Sequence, residues 1–124
     1  MTPFGEKLRA MRAQRGIAQK DMAAAIGVTP AYLSALEHGR RGQPSWVMLQ
    51  RIIAFFNVIW DEAEELTRLA AISHPRVTID TSGLSPRATE LANRLAMRIG
   101  ELGEDRLEEL LALLETGPRK GVRE

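Results

Sequence analysis

The stretch IGVTPAYLSALEHGRRGQPS, residues 26–45, contains the residues whose types and spacing most clearly suggest chemistry. A glycine turn leads into a short helical pattern, and the basic pair Arg40 and Arg41 follows its end. The outward positions at the start of this helix carry mostly Pro, Ala, Ser and Tyr, which offer apolar contact and single hydrogen bonds. The question is what a helix with so few hydrogen-bonding side chains at its exposed start can recognise.

The charge of the chain is divided between its two halves. Residues 1–58 carry eight Lys and Arg against three Asp and Glu, a net charge of +5. Residues 59–124 carry nine bases against thirteen acids, a net charge of −4, so the whole chain has a net charge of only +1. This asymmetry predicts that the first half contacts a polyanion and the second half does not.

Cap residues and apolar periodicity predict five helices in residues 1–72. Thr2-Pro3 and Thr29-Pro30 are typical helix starts, since Thr caps the free backbone N–H groups and Pro suits the first turn. Gly16, Gly27 and Gly39 mark helix ends. The apolar positions spaced by three and four predict a core made of Phe4, Leu8, Met11, Met22, Ala23, Ile26, Leu33, Leu36, Leu49, Ile52, Ile53, Phe56, Leu66, Leu69 and Ala70.

The C-terminal part predicts two more helices after a break. In residues 73–85, Val77, Ile79 and Thr81 alternate with polar residues, which fits either an extended linker or a short strand. Two amphipathic helices follow within residues 86–116, and residues 117–124 are expected to fray. The predicted fold class is all-α: a five-helix domain over 1–72, a linker over 73–85 and a C-terminal helical hairpin.

The second and third helices together predict a helix-turn-helix. They are joined by Gly27-Val28-Thr29, and the second helix contains the small residues Ala23, Ala24 and Ala25. Two helices that cross steeply over a short turn require a glycine at the bend and small side chains where they touch. In such motifs the second helix of the pair lies in the major groove of DNA.

At residues 4–72 the chain resembles the Xre/Cro-type, lambda-repressor-like helix-turn-helix family. The resemblance rests on the Arg-Gly at 15–16, Gln19, Leu33 and Leu36, the Glu-x-Gly at 37–39 and the Pro-Ser at 44–45. It implies five helices around one core and a regulator of transcription, a repressor of bacterial or phage origin, that binds double-stranded DNA. The resemblance implies these DNA-contacting residues: Gln19, Thr29, Pro30, Ala31, Tyr32, Ser34, Ala35, His38, Arg40 and Arg41.

The resemblance also suggests how such a surface would recognise DNA. Pro30 and Ala31 can only make apolar contact with thymine methyl groups, while Thr29, Tyr32 and Ser34 add single hydrogen bonds. Arg40 and Arg41 in the next loop, and Gln19 at the start of its helix, would contact phosphates. We therefore expect affinity dominated by phosphate contacts, with modest direct base readout supplemented by DNA shape.

The leucine-rich C-terminal helices predict a homodimer, because so wide an apolar stripe is a liability when exposed. Two recognition helices would then meet half-sites about 34–36 Å apart on a near-palindromic operator. The alternative is that these helices fold back on the fifth helix of the same chain. The predicted dimer contacts are Leu107, Leu110, Leu111 and Leu114, with Val77 and Ile79.

Composition excludes several other function classes. The chain has no Cys and only two histidines, His38 and His74, so neither a metal site nor catalysis is expected, and no cofactor. No apolar run is long enough for a membrane span, and the lack of Cys suits a reducing compartment, so we expect a cytoplasmic protein that is nucleoid-associated through its binding to DNA. The competing hypothesis is an antitoxin-like or adaptor protein whose main partner is another polypeptide, for which the acidic C-terminal half is the best support.

Overall fold

A computed structural model of the protein describes residues 1–116, and within them it is all-helical, as the sequence predicts. A 3-10 turn, Ile99–Glu101, lies between the last two α-helices. The α-helices are α1 (Pro3–Gln14), α2 (Gln19–Ile26), α3 (Pro30–Glu37), α4 (Trp46–Phe56), α5 (Asp61–Ala71), α6 (Pro86–Arg98) and α7 (Glu104–Thr116).

The described residues divide into two units. The first is Met1–Val77 and contains α1 to α5, and the second begins at Thr78 and contains α6 and α7. Residues 73–85 form no strand, so the strand alternative is wrong for this segment. The reason is that a strand requires a partner, and no extended segment pairs with this one in the described chain. The expected frayed tail, residues 117–124, lies outside the described residues.

Four helices begin at side-chain caps, and the sequence predicts two of them, Thr2 and Thr29. The hydroxyl of Thr2 accepts a hydrogen bond from the backbone N–H of Gly5 at 3.0 Å, and Thr29, Ser45 and Ser85 cap α3, α4 and α6 in the same way. Each such cap is worth about 1 kcal/mol. Ala18 precedes α2 and provides no side-chain cap, so the first N–H groups of α2 are less well satisfied than those of α3.

The predicted core of the first unit is confirmed. Thirteen of its fifteen residues are fully buried, and Ile53 and Leu69 are partly buried against the same cluster. The other thirteen are Phe4, Leu8, Met11, Met22, Ala23, Ile26, Leu33, Leu36, Leu49, Ile52, Phe56, Leu66 and Ala70. Leu, Ile, Met and Phe side chains therefore provide the apolar burial that favours folding of the unit.

A buried carboxylate connects the first three helices. Glu37, the last residue of α3, is 0% exposed. The Arg12 guanidinium of α1 donates to both of its carboxylate oxygens, Nε to Oε2 at 2.8 Å and Nη2 to Oε1 at 3.0 Å, and the Gln19 amide of α2 donates to Oε1 at 3.1 Å. Arg12 also donates to the carbonyl of Ile17. The hydrogen bond to Glu37 raises the pKa of Arg12 above its usual value, against the lowering effect of burial.

Gly5 allows α1 and α3 to approach closely enough for this network to form. A Cβ at this position would lie 2.5 Å from the carbonyl oxygen of Glu37 and 2.7 Å from that of Leu36. No side chain fits at such distances without moving backbone, so the position requires glycine.

The second unit has no core within the described part of the chain. None of its side chains from residue 78 to 115 is fully buried. On α7, Leu107 is half-buried, whereas Leu111 and Leu114 are 62% and 79% exposed. In the preceding segment, Asp80 accepts hydrogen bonds from the hydroxyl and backbone N–H of Ser82, which lower the pKa of its carboxyl group. Within the described residues, the apolar stripes of this unit are therefore largely exposed.

None of the helices in the described part of the chain is long and apolar enough to cross a membrane.

Replacing Glu37 tests the energetic weight of the buried network. Glu37→Gln removes the charge that compensates the Arg12 guanidinium, and it places a second amide N–H₂ against that of Gln19. We expect the free energy of unfolding to fall by about 3 kcal/mol, because breaking a buried ion pair leaves a charge without a partner. Urea denaturation followed by circular dichroism measures this loss.

The matched control is Glu65→Gln. Glu65 pairs with Lys7 at 3.4 Å with both side chains about one-third exposed, and exposed pairs contribute at most about 1 kcal/mol. If the two variants lose equal stability, the buried network does not have the structural role described above.

Candidate nucleic-acid interface

The turn between α2 and α3 has the geometry that the helix-turn-helix pattern predicts. Gly27 ends α2 in the left-handed conformation, with φ 80° and ψ 33°. The next N–H group, that of Val28, donates back to the Ala23 carbonyl at 2.9 Å, and the Val28 side chain packs against the core. Thr29 then caps α3. The chain thus reverses direction over three residues and begins α3 in a fixed orientation.

The residues predicted to contact DNA lie mostly along α3 and its flanks. Thr29, Pro30 and Ala31 at the start are exposed, and Tyr32, Ser34 and Ala35 are partly buried along the same helix. His38, Arg40 and Arg41, after the end of α3, are exposed as well. Apart from Gln19, the predicted residues therefore come from one continuous segment, 29–41.

Some polar groups in this segment already have partners within the chain. The Thr29 hydroxyl accepts the N–H of Tyr32, and His38 Nδ1 lies 2.8 Å from the backbone carbonyl of Ser34. Because a carbonyl only accepts, this contact requires a proton on Nδ1, and in the neutral imidazole Nε2 is then a hydrogen-bond acceptor. The Tyr32 ring and the Nε2 edge of the His38 ring are thus the two ring groups through which α3 and its C-terminal end can contact a ligand.

Arg41 and Tyr32 form a contact that connects the basic loop to α3. The guanidinium carbon of Arg41 lies 5.3 Å from the centroid of the Tyr32 ring, within the range of a cation–π interaction. Sequence reasoning assigned these two residues separate roles and missed the contact, since they are nine positions apart with a helix end between them. The contact restricts both side chains, so the aromatic group and the positive charge reach a ligand together.

Gln19 lies at the start of α2, as predicted, but its side chain has an internal partner. The amide nitrogen donates to buried Glu37, so it is not directed at solvent in this structure. Its predicted phosphate contact stays a prediction, and the groups at this end of α2 that face outward include the exposed side chain of Lys20.

The structure also separates structural cations from available ones. Arg12 is in the buried network and Lys7 pairs with Glu65. Arg15 donates to the Phe56 carbonyl at 2.6 Å and lies over the Phe56 ring. The net charge of the first half therefore overstates the number of cations available to a polyanion, and Arg40 and Arg41 are central among those that remain.

The loop that carries these arginines is packed against both ends of the first unit. Gln43 donates to the Ala70 carbonyl at 2.9 Å. Gly42, with φ 75°, lies directly against the ring of Pro75, and Gly39, with φ 80°, lies against the backbone of Met1. Sequence reasoning did not find these contacts, although glycines on both sides of the arginine pair were the available signal. The basic loop is thus held in one position.

Comparison with known proteins places the chain in a family. A sequence profile described as a helix-turn-helix domain matches residues 3–66. Over 61 residues the chain is 31% identical to an uncharacterized HTH-type transcriptional regulator, RghRB, of Bacillus subtilis (strain 168), covering 49% of this chain and 44% of that protein. It is 36% identical over 52 residues to the HTH-type transcriptional repressor RghR of the same organism, covering 42% of this chain and 38% of that protein.

The matched regions span less than half the length of these curated relatives. Among solved structures, a chain of the complex of the SinR and SinI proteins is similar, with 21% identity and a TM-score of 0.45, covering 90% of this chain and 94% of that one. The profile match confirms the helix-turn-helix assignment that residues 15–45 predict. Because it covers more than half of the sequence, the chain belongs to the helix-turn-helix domain family.

Proposed function

We propose that the protein is a transcriptional regulator that binds specific sites on double-stranded DNA as a homodimer, and that it acts by binding rather than by catalysis. The observation that carries this proposal is the segment 29–41. An exposed helix start with small side chains is followed by a fixed loop with two arginines, one of which lies on Tyr32.

Different residues of this segment suit different kinds of contact with DNA. The small side chains of Pro30 and Ala31 let the start of α3 approach the major groove closely and contact thymine methyl groups. The Thr29 hydroxyl already accepts a hydrogen bond as the cap of α3, so base hydrogen bonds would come chiefly from Tyr32 and Ser34. Arg40 and Arg41 would provide most of the affinity through phosphates, as cations do in complexes with strong salt dependence.

The curated relatives support regulation of transcription, and one of them supports repression. RghR is described as an HTH-type transcriptional repressor, and this chain has a helix-turn-helix domain at residues 3–66. We infer the same direction of regulation for this chain.

The exposed apolar residues of the second unit, together with Val77 at the end of the first, support the homodimer. Leu110, Leu111 and Leu114 on α7 are exposed, as are Val77 and Ile79 before α6. Burying such a stripe against a second copy would remove apolar surface from water at about 25 cal/mol per Å². Two copies related by a two-fold axis would present two α3 helices to half-sites about 34–36 Å apart.

Removing the two loop arginines tests the proposal. Arg40→Ala with Arg41→Ala should weaken binding to all DNA sequences. It should also lower the slope of log affinity against log salt concentration by about 2, since each lost phosphate contact reduces the slope by about 1. Fluorescence anisotropy with a labelled duplex at several NaCl concentrations gives both quantities.

The double variant Arg68→Ala with Arg76→Ala is the control, because it removes the same charge from exposed positions on α5 and just after it. A slope that is unchanged by the loop substitutions, or changed equally by the control, would place the interface elsewhere.

A substitution at Gly42 tests whether the position of the loop matters as well as its charge. Gly42→Ala places a Cβ in the space that the Pro75 ring already occupies, so the loop must shift. Gly83→Ala imposes a similar positive φ, +82°, with nothing within 4 Å of the new Cβ. We expect each variant to lose about 1 kcal/mol of stability through backbone strain, but only Gly42→Ala to weaken DNA binding. Equal DNA affinities of the two variants would show that the loop tolerates displacement.

A further inference from the structure

The second unit presents two apolar stripes that differ in the charge at their edges. On α6 the stripe includes Leu91 and Leu95, and on α7 it includes Leu107, Leu111 and Leu114. Leu91 is 61% exposed, and no side chain of either helix is fully buried through residue 115. Both stripes therefore need a partner surface, and their edges indicate which one fits.

On α6, arginines border the stripe on one side. Arg87, Arg94 and Arg98 are spaced seven and four residues apart, which places them in one row along the helix. Arg94 directly precedes Leu95 and Arg98 directly precedes Ile99. Each residue of a right-handed helix is rotated by about 100° from the residue before it, so residues that directly precede the stripe residues all lie on the same side of the stripe. We call this side the entering edge, and the arginine row lies along it.

On α7, glutamates border the stripe on the other side. Glu108 directly follows Leu107 and Glu115 directly follows Leu114, again seven residues apart. Residues that directly follow the stripe residues lie on the other side of the stripe, which we call the leaving edge, and the glutamate row lies along it. Arg106, which precedes Leu107, lies on the opposite edge.

The two charged rows can face each other in only one orientation of the helices. When two right-handed helices face each other in parallel, the entering edge of one meets the leaving edge of the other. In an antiparallel pair, entering edges meet each other, and the α6 arginines would lie beside Arg106. Charge complementarity therefore favours α6 and α7 side by side and parallel.

A single chain cannot form this parallel pair. Each helix has thirteen residues, so it is about 20 Å long at 1.5 Å per residue. To run parallel beside α6, the chain would have to return that distance within residues 99–103. The six Cα–Cα steps from Arg98 to Glu104 would span at most about 22 Å if fully extended. Here Ile99–Glu101 are wound in a 3-10 turn that rises only about 2 Å per residue, so the connection reaches about 17 Å, which is too short. The parallel partner of α6 must therefore come from another molecule.

We infer that α6 of one copy packs parallel to α7 of a second copy, with the arginine row against the glutamate row, and that the two-fold axis repeats this contact. The inference rests on the proposed homodimer and specifies its contact. Direct pairing of α7 with α7 of the partner is disfavoured, because α7 carries five acids and one base. The ion pairs Arg94–Glu90 and Arg98–Glu101 lie within or just after α6, and their side chains are more than half exposed, so exchanging them for contacts between chains costs little.

A charge-swap experiment tests this pairing in the full-length protein. The first variant, Arg87→Glu with Arg94→Glu, makes the α6 row acidic. The second, Glu108→Arg with Glu115→Arg, makes the α7 row basic. Each variant alone would place like charges together twice per dimer, and we expect its self-association to weaken by about tenfold or more. Their equimolar mixture would restore opposite charges at both contacts, so a heterodimer with near wild-type affinity should form.

The control Asp105→Arg with Glu109→Arg makes the same charge change on the opposite face of α7 and should leave dimerisation nearly unchanged. Sedimentation velocity measures association, and circular dichroism checks that each variant keeps its helices. If a double variant loses helix content, the single changes Arg94→Glu and Glu108→Arg provide the same comparison with less perturbation.

Three results would overturn the inference: variants that dimerise like the wild type, a mixture that recovers no association, or a wild-type chain that stays monomeric at every concentration sampled. Self-association lost only in the α7 variant would instead indicate pairing of α7 with α7. DNA binding by the wild type is measured separately, so the DNA-binding proposal can survive failure of the charge-swap experiment.

Discussion

The burial of the Glu37 carboxylate is the constraint on which the orientation of α3 depends. A charge removed from water is tolerated only with close partners, and here Arg12 of α1 and Gln19 of α2 provide three hydrogen bonds at 2.8–3.1 Å. The absence of a side chain at Gly5 lets α1 reach the end of α3. Because these groups belong to three helices, rotating α3 would leave buried charge unsatisfied. The helix-turn-helix is thus held by a polar network as well as by its apolar core.

This network also determines which charges are available for function. Arg12 compensates Glu37, and the Gln19 amide is used internally, so neither is directed outward. Among the cations that remain exposed, Lys20 lies at the start of α2, and Arg40 and Arg41 lie in the loop after α3, where Arg41 lies on Tyr32 and Gln43 holds the loop to α5. Such fixed cations lose less conformational entropy on binding than mobile side chains would. The modest hydrogen-bonding capacity at the start of α3 is consistent with affinity from phosphates and specificity from shape and hydroxyl contacts.

The sequence predicted the features of the fold that depend on neighbouring residues. The predicted caps Thr2 and Thr29 act within one helical turn, and the buried positions follow from periodicity along single helices. The interactions it did not predict join residues far apart in the chain, such as Arg12 with Glu37, or Gly42 with Pro75. The alternation around Val77 was ambiguous because a strand depends on a partner elsewhere. The charged rows beside the apolar stripes of α6 and α7 can be found in the sequence, but only the structure shows that those stripes are exposed.

The proposed role of the α3 segment is to recognise specific sites in duplex DNA. The most direct test is to mix the purified protein with sheared genomic DNA of its source organism at near-physiological salt and to sequence the retained fragments. We expect enrichment of a two-fold symmetric motif at a limited number of promoters. Retention of fragments without a common motif would contradict specific recognition by α3 and would favour a polypeptide as the main partner of this protein.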